Sequence, residues 1–155
     1  MKIGIIVHSF TGNTLSVAEK IADKLKASGH SAVFEKISIQ GGEKRDTQQF
    51  VLENPPDASA YDALIFGAPV RGFSLSPIMA AYMKQMPPLS GKKTACFVTK
   101  QFANNWTGGK GAIASMKEFC TSKGGNVVGT GTVFWGGKQR DQMIAELSES
   151  FAKLF

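Results

Sequence analysis

Two hydrophobic patterns alternate along this chain. Near-continuous apolar and β-branched runs occur at Lys2–Val7, Ser31–Ile37, Ala63–Gly67, Thr94–Thr99 and Asn126–Val133, which predicts five strands. Runs apolar on both faces suit a parallel sheet covered on both sides. Between them the apolar positions recur at helical spacing. Leu15, Ala18, Ile21, Ala22 and Leu25 form one inner face, and Gly29 ends that helix. Further helices are expected over Pro77–Lys84, Lys110–Ser122 and Asp141–Leu154, with Ser74 or Ser76 capping the first of these. Ser38–Ser59 is the least regular segment, with Gly41-Gly42, a charged run and Pro55-Pro56; a short helix is expected around Gln48–Leu52. Strands alternating with helices argue for an α/β fold, a doubly wound five-stranded parallel sheet with helices on both faces. Ligands of such sheets bind beyond the carboxyl ends of the strands.

The 155 residues contain no repeat, low-complexity tract or linker, so one domain over 1–155 is expected. A hydrophobic fraction of 43% and a charged fraction of 19% are ordinary for a globular protein. No apolar run approaches the roughly 18 residues that span a bilayer, so no membrane partner is expected. Strand pattern begins at Lys2, which leaves no space for a signal peptide and makes a cytoplasmic location the default expectation. Cys96 lies in a strand run and Cys120 on a helix, which favours two buried free thiols over a disulfide or metal site. The net charge is +6, yet the lysines are scattered along the chain, which argues against a nucleic-acid partner.

Candidate chemistry concentrates where the first strand meets the first helix. Ser9, Phe10, Thr11, Gly12, Asn13 and Thr14 place three hydroxyls, an amide and a glycine at a helix start, with no Lys or Arg. Helix N-termini present unpaired N–H groups and partial positive charge, so this turn suits an anion. A nucleotide P-loop needs Gly followed by Lys, whereas Gly12 is followed by Asn13. The GxGxxG dinucleotide turn is also missing. A phosphorylated receiver needs carboxylates at the strand ends, where this chain has His8-Ser9 and Gly67-Ala68. A single terminal phosphate held by neutral donors remains.

"SFTGNT" resembles the phosphate-loop motif T/S-x-T-G-N-T of the flavodoxin family, which binds the phosphate of FMN. "YDALIFGAPVRG" is similar to that family's third strand and first flavin loop, "KKTACFVTK" to its fourth strand, and "GGKGAIASMKEFCTSKGGNVVG" to its following helix and fifth strand. The resemblance covers the whole chain. It implies FMN as cofactor and strand order 2-1-3-4-5. It also implies that Ser9, Thr11, Gly12, Asn13 and Thr14 hold the phosphate, with Phe10 in the same cofactor-binding loop. Ala68, Pro69, Val70, Arg71, Gly72 and Phe73 would pass along one side of the flavin. Thr99, Lys100, Gln101, Phe102 and Trp106 would pass along the other, with Gly108 and Gly109 closing the loop.

Two departures from the family bear on function. Flavodoxins commonly stack a Trp and a Tyr on the flavin, at positions that here read Val70 and roughly Asn104; Phe73, Phe102 and Trp106 are the candidate substitutes. Trp135 reads as a packing or rim residue, and His8 as structural. Electron-carrier flavodoxins are typically acidic, whereas Arg71, Lys100 and Lys110 surround this site and neither flavin loop holds Asp or Glu. The basic character implies redox protein partners with an acidic surface, and a flavin reduced more easily than in acidic relatives. The favoured function is an FMN-dependent electron carrier; the alternative is an FMN-dependent NAD(P)H:quinone-type reductase.

Overall fold

A computed structural model describes residues 1–43, 49–71, 74–101 and 108–155. The main sheet comprises β1 (Lys2–Val7), β2 (Ser31–Lys36), β5 (Ala63–Arg71), β7 (Lys93–Lys100) and β8 (Asn126–Phe134), in spatial order β2-β1-β5-β7-β8 and parallel throughout. In strand-rank terms this is the expected 2-1-3-4-5 order. Reversal of the order after β1 opens a crevice between β1 and β5 at their carboxyl ends.

Strand alternation sorts the core into two layers. Ile3, Ile5, Val7, Ile65 and Phe97 face one side, where Val17, Ala18, Ile21 and Leu25 of α1 (Asn13–Ala27) pack with Ile144, Leu147 and Phe151 of α4 (Arg140–Ala152). Ile6, Leu64, Phe66, Cys96 and Val98 face the other, against α2 (Pro77–Gln85) and α3 (Gly109–Ser122), with Met79, Tyr82, Met83 and Met116 filling the space. The three central strands are apolar on both faces because both faces are covered.

Local chemistry sets the helix ends. Ser76 caps α2 by accepting from the Met79 N–H at 3.3 Å, with Pro77 in the first turn. Cys96 and Cys120 are free and buried, with their sulfurs 3.8 Å apart.

The segment after β2 differs from expectation. Leu52–Glu53 is a short strand (β4) paired antiparallel with β3 (Ser38–Ile39), not the end of a helix, while Gln48 lies outside the described residues. Ile39 is buried in the core and Phe50 and Leu52 pack against it. Pairing with an existing strand, together with that burial, outweighs a weak local helical preference. The third-strand region also runs further than its apolar run suggested. β5 continues through Arg71 because β6 (Ser74–Leu75) folds back on it, pairing Val70 with Leu75 and Arg71 with Ser74.

Candidate functional site

The carboxyl ends of β1, β5 and β7 and the start of α1 enclose a cleft of about 280 Å³, lined by Phe10, Thr11, Asn13, Thr14, Pro69, Val70, Arg71, Thr99, Lys100, Gln101 and Trp135. Ser9 sits behind the helix start and Ala68 is buried beneath the cleft. Gly108 and Gly109 open α3 at the far side of the loop that follows β7. Gly72, Phe73, Phe102 and Trp106 lie outside the described residues. A larger depression of about 670 Å³ runs between α1 and α4. Lys20, Asp23, Lys24, Asp141 and Glu149 line it with charges of both signs, and no strand end opens into it.

The helix start is built around a glycine. Gly12 caps α1 at φ 92°, a left-handed conformation that disfavours any Cβ, and nothing lies within 4 Å of where a Cβ would stand. The strain of a larger residue there is therefore conformational. Ser9 Oγ accepts from the Gly12 N–H at 3.1 Å and the Leu15 N–H at 3.3 Å, which folds the turn back onto the start of α1. Thr14 is buried, and its hydroxyl lies 2.9 Å from the Thr99 hydroxyl on β7. That bond fastens the helix start to β7 at the cleft.

Thr14→Val preserves shape but leaves the buried Thr99 hydroxyl without this partner. Thermal unfolding of the cofactor-free protein should register a loss of about 1–2 kcal/mol. FMN titration should show a dissociation constant raised about tenfold. An unfolding midpoint equal to that of the wild type would mean that Thr14 does not tie the two loops.

Cations and aromatic rings alternate around the rim. The Arg71 guanidinium carbon lies 4.7 Å from the centroid of the exposed Phe10 ring. Lys100 Nζ lies 5.1 Å from Phe134, and Arg140 lies 4.8 Å from Trp135. Lys100 is only 8% exposed, its stem covering the backbone of Gly109, where a Cβ would stand 3.0 Å from Nζ. Trp135, read from sequence as packing or rim, does both: its side chain packs against the core layer of α1 and α4 and its ring edges the cleft, while its backbone N–H donates to the Lys100 carbonyl at 2.7 Å.

His8 lies directly behind the cleft and is 2% exposed. Its Nε2 is 2.7 Å from Glu43 Oε2, and its Nδ1 is hydrogen-bonded to Ser76 Oγ. A carboxylate only accepts, so Nε2 carries the proton and Nδ1 accepts from the Ser76 hydroxyl. Burial holds the imidazole below its ordinary value near 6.5, with Arg71 and Lys36 adding to this and Glu43 opposing it. Ser, His and Glu in series look like a hydrolytic relay. Ser76, however, is fully buried and its oxygen already caps α2, so it presents no nucleophile. Glu43 is the site neighbour that sequence reading missed. It lies 28 residues before Arg71, and its carboxylate accepts from Arg71 Nη1 at 2.6 Å.

These features define a doubly wound α/β protein with a cleft at its topological switch point. The chain belongs to the flavodoxin domain family, whose model matches residues 4–145; FMN is the cofactor of that family. A flavodoxin from Streptococcus pneumoniae superposes with a TM-score of 0.74 at 19% identity, covering all of both chains. Oxidised flavodoxin 2 from Bacillus cereus does so with a TM-score of 0.73 at 23% identity, again over the whole of both. At these identities the likeness is one of fold. An NAD(P)H dehydrogenase (quinone) from Archaeoglobus fulgidus is 31% identical over 103 residues, 59% of this chain. The matched stretch spans about half of that relative, 52% of its length.

Proposed function

We propose that this protein binds FMN in the cleft at the ends of β1, β5 and β7 and serves as an electron carrier between redox proteins. The observation that carries the reading is the helix start at Ser9–Thr14. The first-turn N–H groups that a helix start leaves unpaired, beyond a left-handed Gly12, with the hydroxyls and amide of the turn beside them and no carboxylate within it, suit a terminal phosphate. Pro69, Val70 and Arg71 from β5, with Thr99, Lys100 and Gln101 at the end of β7, would flank the planar ring system. Bound FMN supplies one-electron and two-electron chemistry; the chain holds it and sets the charge around it. Arg140, exposed over Trp135 at the edge of the cleft, adds a cationic group that suits an acidic partner face. No described helix is long and apolar enough to cross a membrane.

The 31% match to an NAD(P)H dehydrogenase (quinone) favours a second reading, an FMN-dependent NAD(P)H:quinone reductase. Steady-state oxidation of NADH and NADPH by the FMN-loaded protein, with a soluble quinone as acceptor, separates the two. A carrier should give turnover no higher than an equal concentration of free FMN. Saturable turnover well above that level would make the protein a reductase.

A further inference from the structure

We propose that Glu43 is a positioning residue for the cofactor cleft, holding the Arg71 guanidinium over Phe10 at the rim while His8, seated on Ser76, holds Glu43. The proposal deepens the FMN reading and rests on it for the identity of the ligand.

The contacts form one unbroken chain. The Met79 N–H donates to Ser76 Oγ, the Ser76 hydroxyl to His8 Nδ1, and His8 Nε2–H to one oxygen of Glu43. The other oxygen of Glu43 accepts from Arg71 Nη1. One carboxylate therefore bridges a buried imidazole and a rim cation. Its two donors come from the ends of different strands, β1 and β5, on either side of the crevice. Glu43 itself belongs to neither the phosphate turn nor the flavin loops; it follows β3, at the end of the turn through Gly41 and Gly42.

The burial gradient explains the direction of control. Ser76 is fully buried and His8 nearly so, Glu43 keeps 15% of its side-chain surface, and Arg71 keeps 29%. The rigid end of the chain is thus α2 and β1, and the adjustable end is the cation at the cleft. A lone arginine side chain samples many rotamers, and a charge-assisted bond to a fixed carboxylate removes most of that freedom. Glu43 also offsets the charge of Arg71, so the cleft meets an oriented donor group more than a bare positive charge. Neutral His8 gives this direction of bonding, because a protonated Nδ1 would donate to Ser76 Oγ in place of accepting from it. Glu43, Arg71 and Lys36 are the charged groups that act on His8. Its imidazole is held below the ordinary value, so the unfolded chain takes up a proton first as pH falls. His8's contribution to stability is therefore complete above about pH 6.5 and is lost as pH drops toward the folded value.

The test is a double-substitution cycle with Glu43→Gln and Arg71→Gln, read by FMN dissociation constants and by ¹⁵N titration of the His8 ring in cofactor-free protein. Arg71→Gln should weaken FMN binding about tenfold beside Glu43, yet change it by no more than about twofold in the Glu43→Gln background. On the His8 titration, Arg71→Gln should raise the apparent pKa and Glu43→Gln should lower it. Equal effects of Arg71→Gln in both backgrounds would overturn the proposal. Tighter FMN binding by Glu43→Gln would also overturn it, because Glu43 would then be only a screening charge. If wild-type protein binds no FMN, the cofactor reading fails and the His8 titration alone decides: opposite shifts support the linked chain, and unchanged curves overturn it. Should Glu43→Gln not fold, the titration of Arg71→Gln decides in the same way.

Discussion

FMN is expected to bind this protein about two to three decades more tightly than riboflavin. The two ligands share the ring system and ribityl chain, so the difference isolates the phosphate. At Ser9–Thr14 that phosphate would meet the unpaired first amides of α1, beyond the left-handed Gly12, and the hydroxyls of the turn. Hydrogen bonds to a charged group contribute about 1.5–3 kcal/mol each, less the desolvation of the phosphate, so two or three of them leave about 3–4 kcal/mol. The α1 dipole adds a fraction of a kcal/mol. Quenching of flavin fluorescence on titration measures both constants under one set of conditions. Equal affinities would show that the turn is an ordinary helix start and that the cleft recognises the ring alone.

Gly67→Ala should lower stability by about 2–3 kcal/mol, a fall of roughly 5–10 °C in Tm for a chain of this size. Gly67 lies on β5 just before the cleft, with the Phe97 ring folded over it from the neighbouring strand. A Cβ there would stand 2.1 Å from Phe97 Cζ and 2.4 Å from Cε1. The ring has little space to retreat, since it is fully buried and meets Phe151 edge-on at 6.5 Å. Chemical denaturation gives the midpoint, and Gly67→Ala combined with Phe97→Leu should recover part of the loss. An unchanged midpoint for the single variant would mean that the ring does not pack on the glycine.

The pairing of Arg71 with Glu43 changes what the basic charge of this chain means. With no acid in either flavin loop, Arg71 and Lys100 read from sequence as uncompensated charges beside the cofactor. An ion pair 2.6 Å long leaves the cleft facing a dipole in place of a lone charge, and the field of a dipole falls off faster with distance. The effect of Arg71 on flavin potential should accordingly be smaller than charge counting implies. Lys100 lies inside the protein envelope, its Nζ against Phe134, and solvent screens it less than it screens the scattered surface lysines.

The order of elements, the two-sided burial of the central strands and the donor-rich turn were legible because each depends on neighbours within a few residues. Period-two and period-3.6 patterns report which faces are covered. A helix start declares itself through a glycine and hydroxyls at fixed spacing. Leu52, expected at the end of a helix, lies instead in β4 paired with β3, for the converse reason. Two short strands owe their conformation to each other and to Ile39, Phe50 and Leu52 meeting the core, and no local period records such a partner. The continuation of β5 to Arg71 likewise depends on β6 folding back. Side-chain partnerships across long sequence separations lay beyond reading altogether. Thr14 meets Thr99 and His8 meets Ser76 and Glu43 only because sheet order brings those strand ends to one crevice. The sequence alone determined the fold class and the donor-rich turn that opens α1. Tertiary structure alone decided that Arg71 meets Glu43 at that site, because electrostatic pairing depends on distance in space and leaves no periodic trace along the chain.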